Sequence, residues 1–191
     1  MHRRYCLNFA LKLAARTTLL AFGSSAWFIS ARAQPRYTVS TAQLQAAVAE
    51  KFPLRYPVAG LFDLALQAPR LKLLPAVNRI NADIPVEAAG EALRRRYAGN
   101  FDIDFALRYE ASDRTLRAYQ IQVNALRFPG LRPEVSDLLN TYAPVLAAQA
   151  LREVVLHQLS AKDLALADTM GLEPGSITVT DQGLVIDFKN K

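Results

Sequence analysis

Phe101-Asp102-Ile103-Asp104-Phe105-Ala106-Leu107-Arg108-Tyr109 is the stretch that decides the fold. Its apolar odd positions alternate with Asp102, Asp104 and Arg108, the period of two expected of a strand with one face buried and the other in water. The same pattern extends to either side. Phe62, Leu64 and Leu66 alternate with Asp63 and Gln67, and Leu71 and Leu73 resume in the opposite phase after Pro69, which predicts a bulge or an edge position there. Ile80, Ala82, Ile84 and Val86 alternate with Asn81, Asp83 and Glu87; Tyr119, Ile121 and Val123 alternate with Gln120, Gln122 and Asn124. These strands follow one another with connections too short for helical crossovers, so they form an antiparallel meander.

An apolar sheet face must be covered. Pro133 stands where a first helical residue would, and an apolar run from there to about Gln158 predicts one long helix. Its apolar residues, among them Leu138, Leu139, Tyr142, Val145, Leu146, Leu151 and Val154, leave only a narrow polar edge at Asp137, Thr141, Arg152 and Glu153. Such a helix belongs in a core, with a twisted sheet curling around it. Pro144 lies inside the run and should kink it. His157 reads as a residue of the last helical turn, where a cation is favoured. Ser40-Thr41-Ala42-Gln43 is a capping box opening an earlier helix that Pro53 and Pro57 end. Ala49 to Gly60 then reads as a connection packing its own aromatics, a lid or an interaction surface. Ala161 to Met170 reads as a short helix, and Ile177, Val179, Leu184, Ile186 and Phe188 flank Asp181-Gln182-Gly183 as a closing hairpin. The fold class is therefore α+β: a curved antiparallel sheet, meander plus C-terminal hairpin, wrapped around a long, proline-interrupted apolar helix.

The net charge of +6 needs to be divided along the chain. Residues 1–33 combine a basic head (Arg3, Arg4, Lys12, Arg16), the apolar run from Thr17 to Ile29 and the small-residue end Ala31-Arg32-Ala33. These are the parts of a cleavable export signal, and the run falls short of the ~20 residues needed to span a bilayer. Arg3-Arg4 also resembles a twin-arginine signal. Removing this segment leaves 18 basic residues against the 17 acidic ones, so residues 34–191 form one nearly neutral domain. The expected location is the periplasm, with no transmembrane span in the mature chain.

The only cysteine, Cys6, and one of two histidines lie in the removed segment. Zinc sites of Cys and His, thiol nucleophiles and disulfides are therefore not expected, and no metal or cofactor is implied. No nucleophile elbow, P-loop or dinucleotide fingerprint occurs. Asp102 and Asp104 could act as paired carboxylates, yet alternation on a wet strand face accounts for them, and Arg94-Arg95-Arg96 reads as a solvated turn. The chain is expected to be no enzyme and, once exported, to bind no nucleic acid.

Tyr37-Thr38-Val39-Ser40 entering the first helix, Leu138-Leu139-Asn140-Thr141-Tyr142-Ala143-Pro144 with Ala150-Leu151, and Gly183-Leu184-Val185-Ile186-Asp187-Phe188 together resemble the YceB-like family of bacterial envelope proteins, a domain of unknown function. The likeness covers about residues 37–188. That family's fold looks like one half of the tubular lipid-binding proteins of the bactericidal permeability-increasing class. The resemblance implies a lipid or other apolar ligand between helix and sheet and supplies no catalytic residues. Unlike the lipoprotein members, this chain has no lipobox cysteine. The expected apolar lining is Phe62, Leu64, Ile103, Phe105, Ile121, Val123, Leu139 and Tyr142. The alternative is a filled core in an envelope protein that binds or assembles a protein partner.

Overall fold

The computed structural model describes residues 35–58, 60, 62–93, 95–152 and 154–191. The export signal read over residues 1–33 lies outside the described residues, as does Arg94 of the arginine run.

The chain starts with strand β1 (Arg36–Ser40) and helix α1 (Thr41–Ala49), followed by β2 (Leu54–Val58), β3 (Phe62–Leu66), β4 (Arg70–Leu74), β5 (Arg79–Ala89), β6 (Tyr97–Glu110) and β7 (Thr115–Arg127). Helix α2 (Pro133–Arg152), β8 (Val155–Gln158), helix α3 (Ala161–Thr169), β9 (Leu172–Thr180) and β10 (Gly183–Asn190) complete it. The architecture is the expected α+β: a curled antiparallel sheet in the order β2-β3-β5-β6-β7-β8, with β4 also on β5, beside a three-stranded sheet β1-β10-β9.

Alternation is cleanest in β5, where Ile80, Ala82, Ile84, Val86 and Ala88 are buried and their neighbours are not. The phase change at Pro69 is an interruption of the strand lying against β5: β3 pairs with its second half and β4 with its first. Pro85 sits opposite the gap. Its carbonyl accepts from the Gln67 amide at 2.8 Å, so its missing N–H faces the same side, where a continuous strand would have found no donor. Gln45 of α1 takes over the groups left there, donating to the Pro69 carbonyl (2.6 Å) and accepting from the Leu71 amide (3.0 Å).

The curl is made in β7. Its pairing with β6 slips twice, between Asp102 and Ile103 and between Asp104 and Ala106, so β7 carries extra residues at both places. Such bulges bend a strand and raise its twist. Gln120 adopts a left-handed φ of 50° at the second one. The Arg79 guanidinium closes over it, Nη2 donating to the carbonyls of Gln120 and Asp104.

Three expectations need correction. The long helix stops at Arg152, and Val155–Gln158 instead adds strand β8 to the start of β7. Val154 and Leu156 point inward with a period of two there, and β-branched valines suit a half-buried strand. His157 is thus a strand residue paired with Leu116, not a helix terminus. The connection after α1 contains the edge strand β2, in which Pro57 is tolerated because an edge has no second neighbour to satisfy. Finally, Tyr37-Thr38-Val39 is a strand paired with Leu184–Ile186, and only Ser40 behaves as the expected helix cap. The closing hairpin is as expected, and Gly183 is essential to its fit: a Cβ there would lie 2.1 Å from the Val39 carbonyl oxygen.

Candidate functional site

Helix α2 packs principally along β7. The short link Phe128–Arg132 and the return of β8 to the start of β7 make it run antiparallel to that strand. Leu139, Ala143, Leu146, Ala147, Ala150 and Leu151 form its buried stripe. Tyr142 (40% exposed) and Val145 (54%) fall outside it, so one face of α2 is in solvent rather than apolar surface being covered all round. Pro144 lies inside the helix on an exposed side, where water can satisfy the carbonyl that its missing N–H leaves.

The eight expected lining residues therefore separate into three groups. Phe62 and Leu64 of β3, Ile103 and Phe105 of β6, and Leu139 of α2 are buried members of one continuous core. Ile121 and Val123 of β7 are half-buried at its margin. Tyr142 lies outside the buried stripe of α2, since a helix packed on one strand buries one stripe. Half-buried Val135 and Leu138 lie in the first half of α2, ahead of or beside the start of its buried stripe at Leu139. The α2–β7 seam thus carries partly wet apolar side chains on both elements.

A concavity lies where the three-stranded sheet meets the far part of β6 and β7. It is an open cleft of about 1030 Å³. Its lining includes apolar Leu107, Ile177 and Phe188 together with Arg36, Arg108, Lys189, Asp187, Tyr109 and Tyr119. None of the eight expected residues borders it. Pairing between β10 and β9 slips between Ile186 and Phe188, leaving an extra residue near Gly175-Ser176 that bends β9 there. The turn before β5 is tied to this wall by Asn78, whose side chain donates to the Ile177 carbonyl (3.0 Å) and accepts from the Val179 amide (2.7 Å).

The polar groups singled out in the sequence have structural partners. Asn81 donates to Asp102 Oδ1 (2.5 Å) and Asp104 Oδ1 (2.7 Å), bridging the two carboxylates, and Asn124 donates to Asp102 as well (3.2 Å). Arg96 pairs with Glu87 at 3.2 Å, and the Arg95 guanidinium lies 4.7 Å from the centre of the Tyr97 ring. Among the described residues no group of His, Cys, Asp and Glu is placed to hold a metal ion, and no helix is long and apolar enough to cross a membrane.

His157 gains neighbours that the sequence reading missed. The Tyr37 hydroxyl is 3.3 Å from its Nε2, with the rings 5.8 Å apart. Burial lowers the His157 pKa, against the attraction of Asp163. Burial raises that of Tyr37, and the charge of Asp163 and a hydrogen bond to it act the same way. Asp163 itself is held below the usual carboxylate range, chiefly by the Ser160 hydroxyl and amide in a second capping box. The Ser160-Ala161-Lys162-Asp163 spacing was a signal for that box, with Asp in place of the usual Glu or Gln.

No protein-family model matches the chain, and no curated protein matches it. Among solved structures, the crystal structure of lipopolysaccharide binding protein is similar to it over 82% of this chain and 49% of that one, with 14% sequence identity and a TM-score of 0.29. The chain spans about half the length of that protein.

Proposed function

We propose that this chain is a non-enzymatic, exported protein of the bacterial periplasm, of the YceB-like kind, that binds a lipid or similar apolar molecule along the α2–β7 seam. The observation carrying this reading is the half-burial of Ile121 and Val123 on β7 together with that of Val135 and Leu138 in the first half of α2. Apolar side chains left partly wet along a seam gain about 25 cal/mol for each Å² that a ligand covers.

Native mass spectrometry of the protein isolated from its own envelope tests the reading. Adducts of several hundred daltons are expected, and Val123→Trp, which fills the seam from its margin, should abolish them while the far-ultraviolet dichroism is kept. Apolar-ligand binding is refuted if the wild-type protein carries no adduct and takes up none from lipid micelles.

The second reading is an interaction or assembly factor with a filled core. It is favoured by the complete burial of Phe62, Leu64, Ile103, Phe105 and Leu139 and by exposed apolar Leu166 and Met170, one turn apart at the end of α3. Cross-linking in intact cells would then capture a protein partner from a protein free of lipid.

A further inference from the structure

We infer that the cleft between β9–β10 and the far part of β6 and β7 is a second binding site, for a phosphate-bearing polar molecule with a hydroxylated body. The inference goes beyond the lipid reading, because this cleft and the α2–β7 seam share none of the residues named for either. Arg36, Arg108 and Lys189 line it with Asp187, while Glu110 and Glu173, the acids paired with Arg108 and Lys189, stand outside the lining. General basicity does not explain this, since residues 34–191 hold 18 basic and 17 acidic side chains.

The three cations are held by surface ion pairs: Arg36 to Asp187 at 3.0 Å, Lys189 to Glu173 at 3.2 Å and Arg108 to Glu110 at 3.8 Å. Pairs that exposed contribute little to stability, so their cations can turn to a better anion. A phosphate offers several acceptor oxygens at once, and charge-assisted bonds to guanidinium groups are the strong kind. Tyr109 and Tyr119 add hydroxyls and ring faces suited to a polyol or sugar body. The volume of about 1030 Å³ exceeds what a lone ion needs and is at the upper end of small-molecule sites. Gly175 keeps the wall thin: a Cβ there would come within 3.3 Å of the Lys189 stem.

The headgroup of a phospholipid and a free phosphorylated polyol share this chemistry. Titration calorimetry of the purified full chain at low salt, with glycerol 3-phosphate, glycerol and inorganic phosphate, and flotation with phosphatidylglycerol or phosphatidylcholine vesicles separate them. Glycerol 3-phosphate should bind and glycerol should not. Arg108→Gln and Lys189→Gln should each weaken binding about tenfold, the effect of one lost charge-assisted contact. Arg70→Gln, which removes a cation paired with Asp83 away from the cleft, should leave it unchanged. Flotation with phosphatidylglycerol that glycerol 3-phosphate competes away assigns the lipid headgroup; binding of the soluble probe without flotation assigns a free phosphorylated molecule. The proposal is overturned if neither phosphate probe binds, if inorganic phosphate binds as tightly as glycerol 3-phosphate, or if Arg70→Gln matches the cleft variants. Lipid adducts that persist when the cleft variants fail to alter binding would sink this site and leave the seam standing.

Discussion

Trimming one methyl-bearing side chain on each side of the seam distinguishes an open seam from a closed core. Leu139 is 1% exposed within the buried stripe of α2. Leu139→Ala removes its outer carbons and leaves a cavity, which destabilises by about 2–5 kcal/mol. Val123 is half-buried beyond the second bulge of β7. Val123→Ala removes two methyl-equivalents, roughly 1.5 kcal/mol if fully buried at ~0.8 kcal/mol per group. With part of that surface already in water, the expected loss is about 0.5–1 kcal/mol. For a domain of this size 1 kcal/mol moves the melting temperature by roughly 2–4 °C. Leu139→Ala should therefore melt some 5–15 °C lower, and Val123→Ala within about 4 °C of the parent. Thermal melts followed by circular dichroism give both shifts, and a urea titration with an unchanged m-value ensures that the denatured state is comparable. A Val123→Ala loss as large as that of Leu139→Ala would refute the reasoning, because the seam would then be sealed core with no place for an acyl chain.

Three other perturbations test the supports of the curl and the cleft. Asn78→Gly retains the left-handed backbone but deletes both bonds to β9, so urea midpoints should fall by an amount worth about 1–3 kcal/mol. Gly183→Ala drives a Cβ into the Val39 carbonyl and should strip β1 from β10, seen as fast hydrogen exchange at Val39 and Leu184 with exchange in β5 unaffected. His157 has a lowered pKa, so below its ordinary 6.5 the unfolded chain binds more protons than the folded one. Stability should accordingly be full above that value and decline as pH falls below it, and His157→Gln should remove this step from melting curves measured between pH 5 and 8. Asp113 and Asp163, held low chiefly by Thr115 and Ser160 respectively, lose their contribution only below about 3.8, outside that window.

The meander, the α1 capping box, the short α3 and the closing hairpin were legible because each is written in neighbouring residues. Even the break at Pro69 was readable as a phase change, although its cause, the missing N–H of Pro85 on the facing strand, required the register. The site was less legible. Five of the eight residues expected to line a cavity are core, since apolar alternation reports which side faces inward and not whether the inside is full. The exposure of Tyr142 was not legible, because the polar edge read at Asp137, Thr141 and Arg152 is narrower than the face of α2 that meets solvent. The cleft cations were invisible as a set: Arg36, Arg108 and Lys189 lie far apart in the chain, each beside an acid with which it pairs.

The sequence by itself determined the α+β class, the inward residues of β3, β5 and β6, and the point at which α1 begins, because period and capping depend on residues only two to four apart. Tertiary structure alone decided that Arg36–Ser40 would pair with residues 183–187, that Val155–Gln158 would leave the helix to extend β7, and that two bulges would bend that strand against α2. Those outcomes depend on which distant strand edge offers free N–H and C=O groups, and an unpaired edge is a property of the assembled sheet.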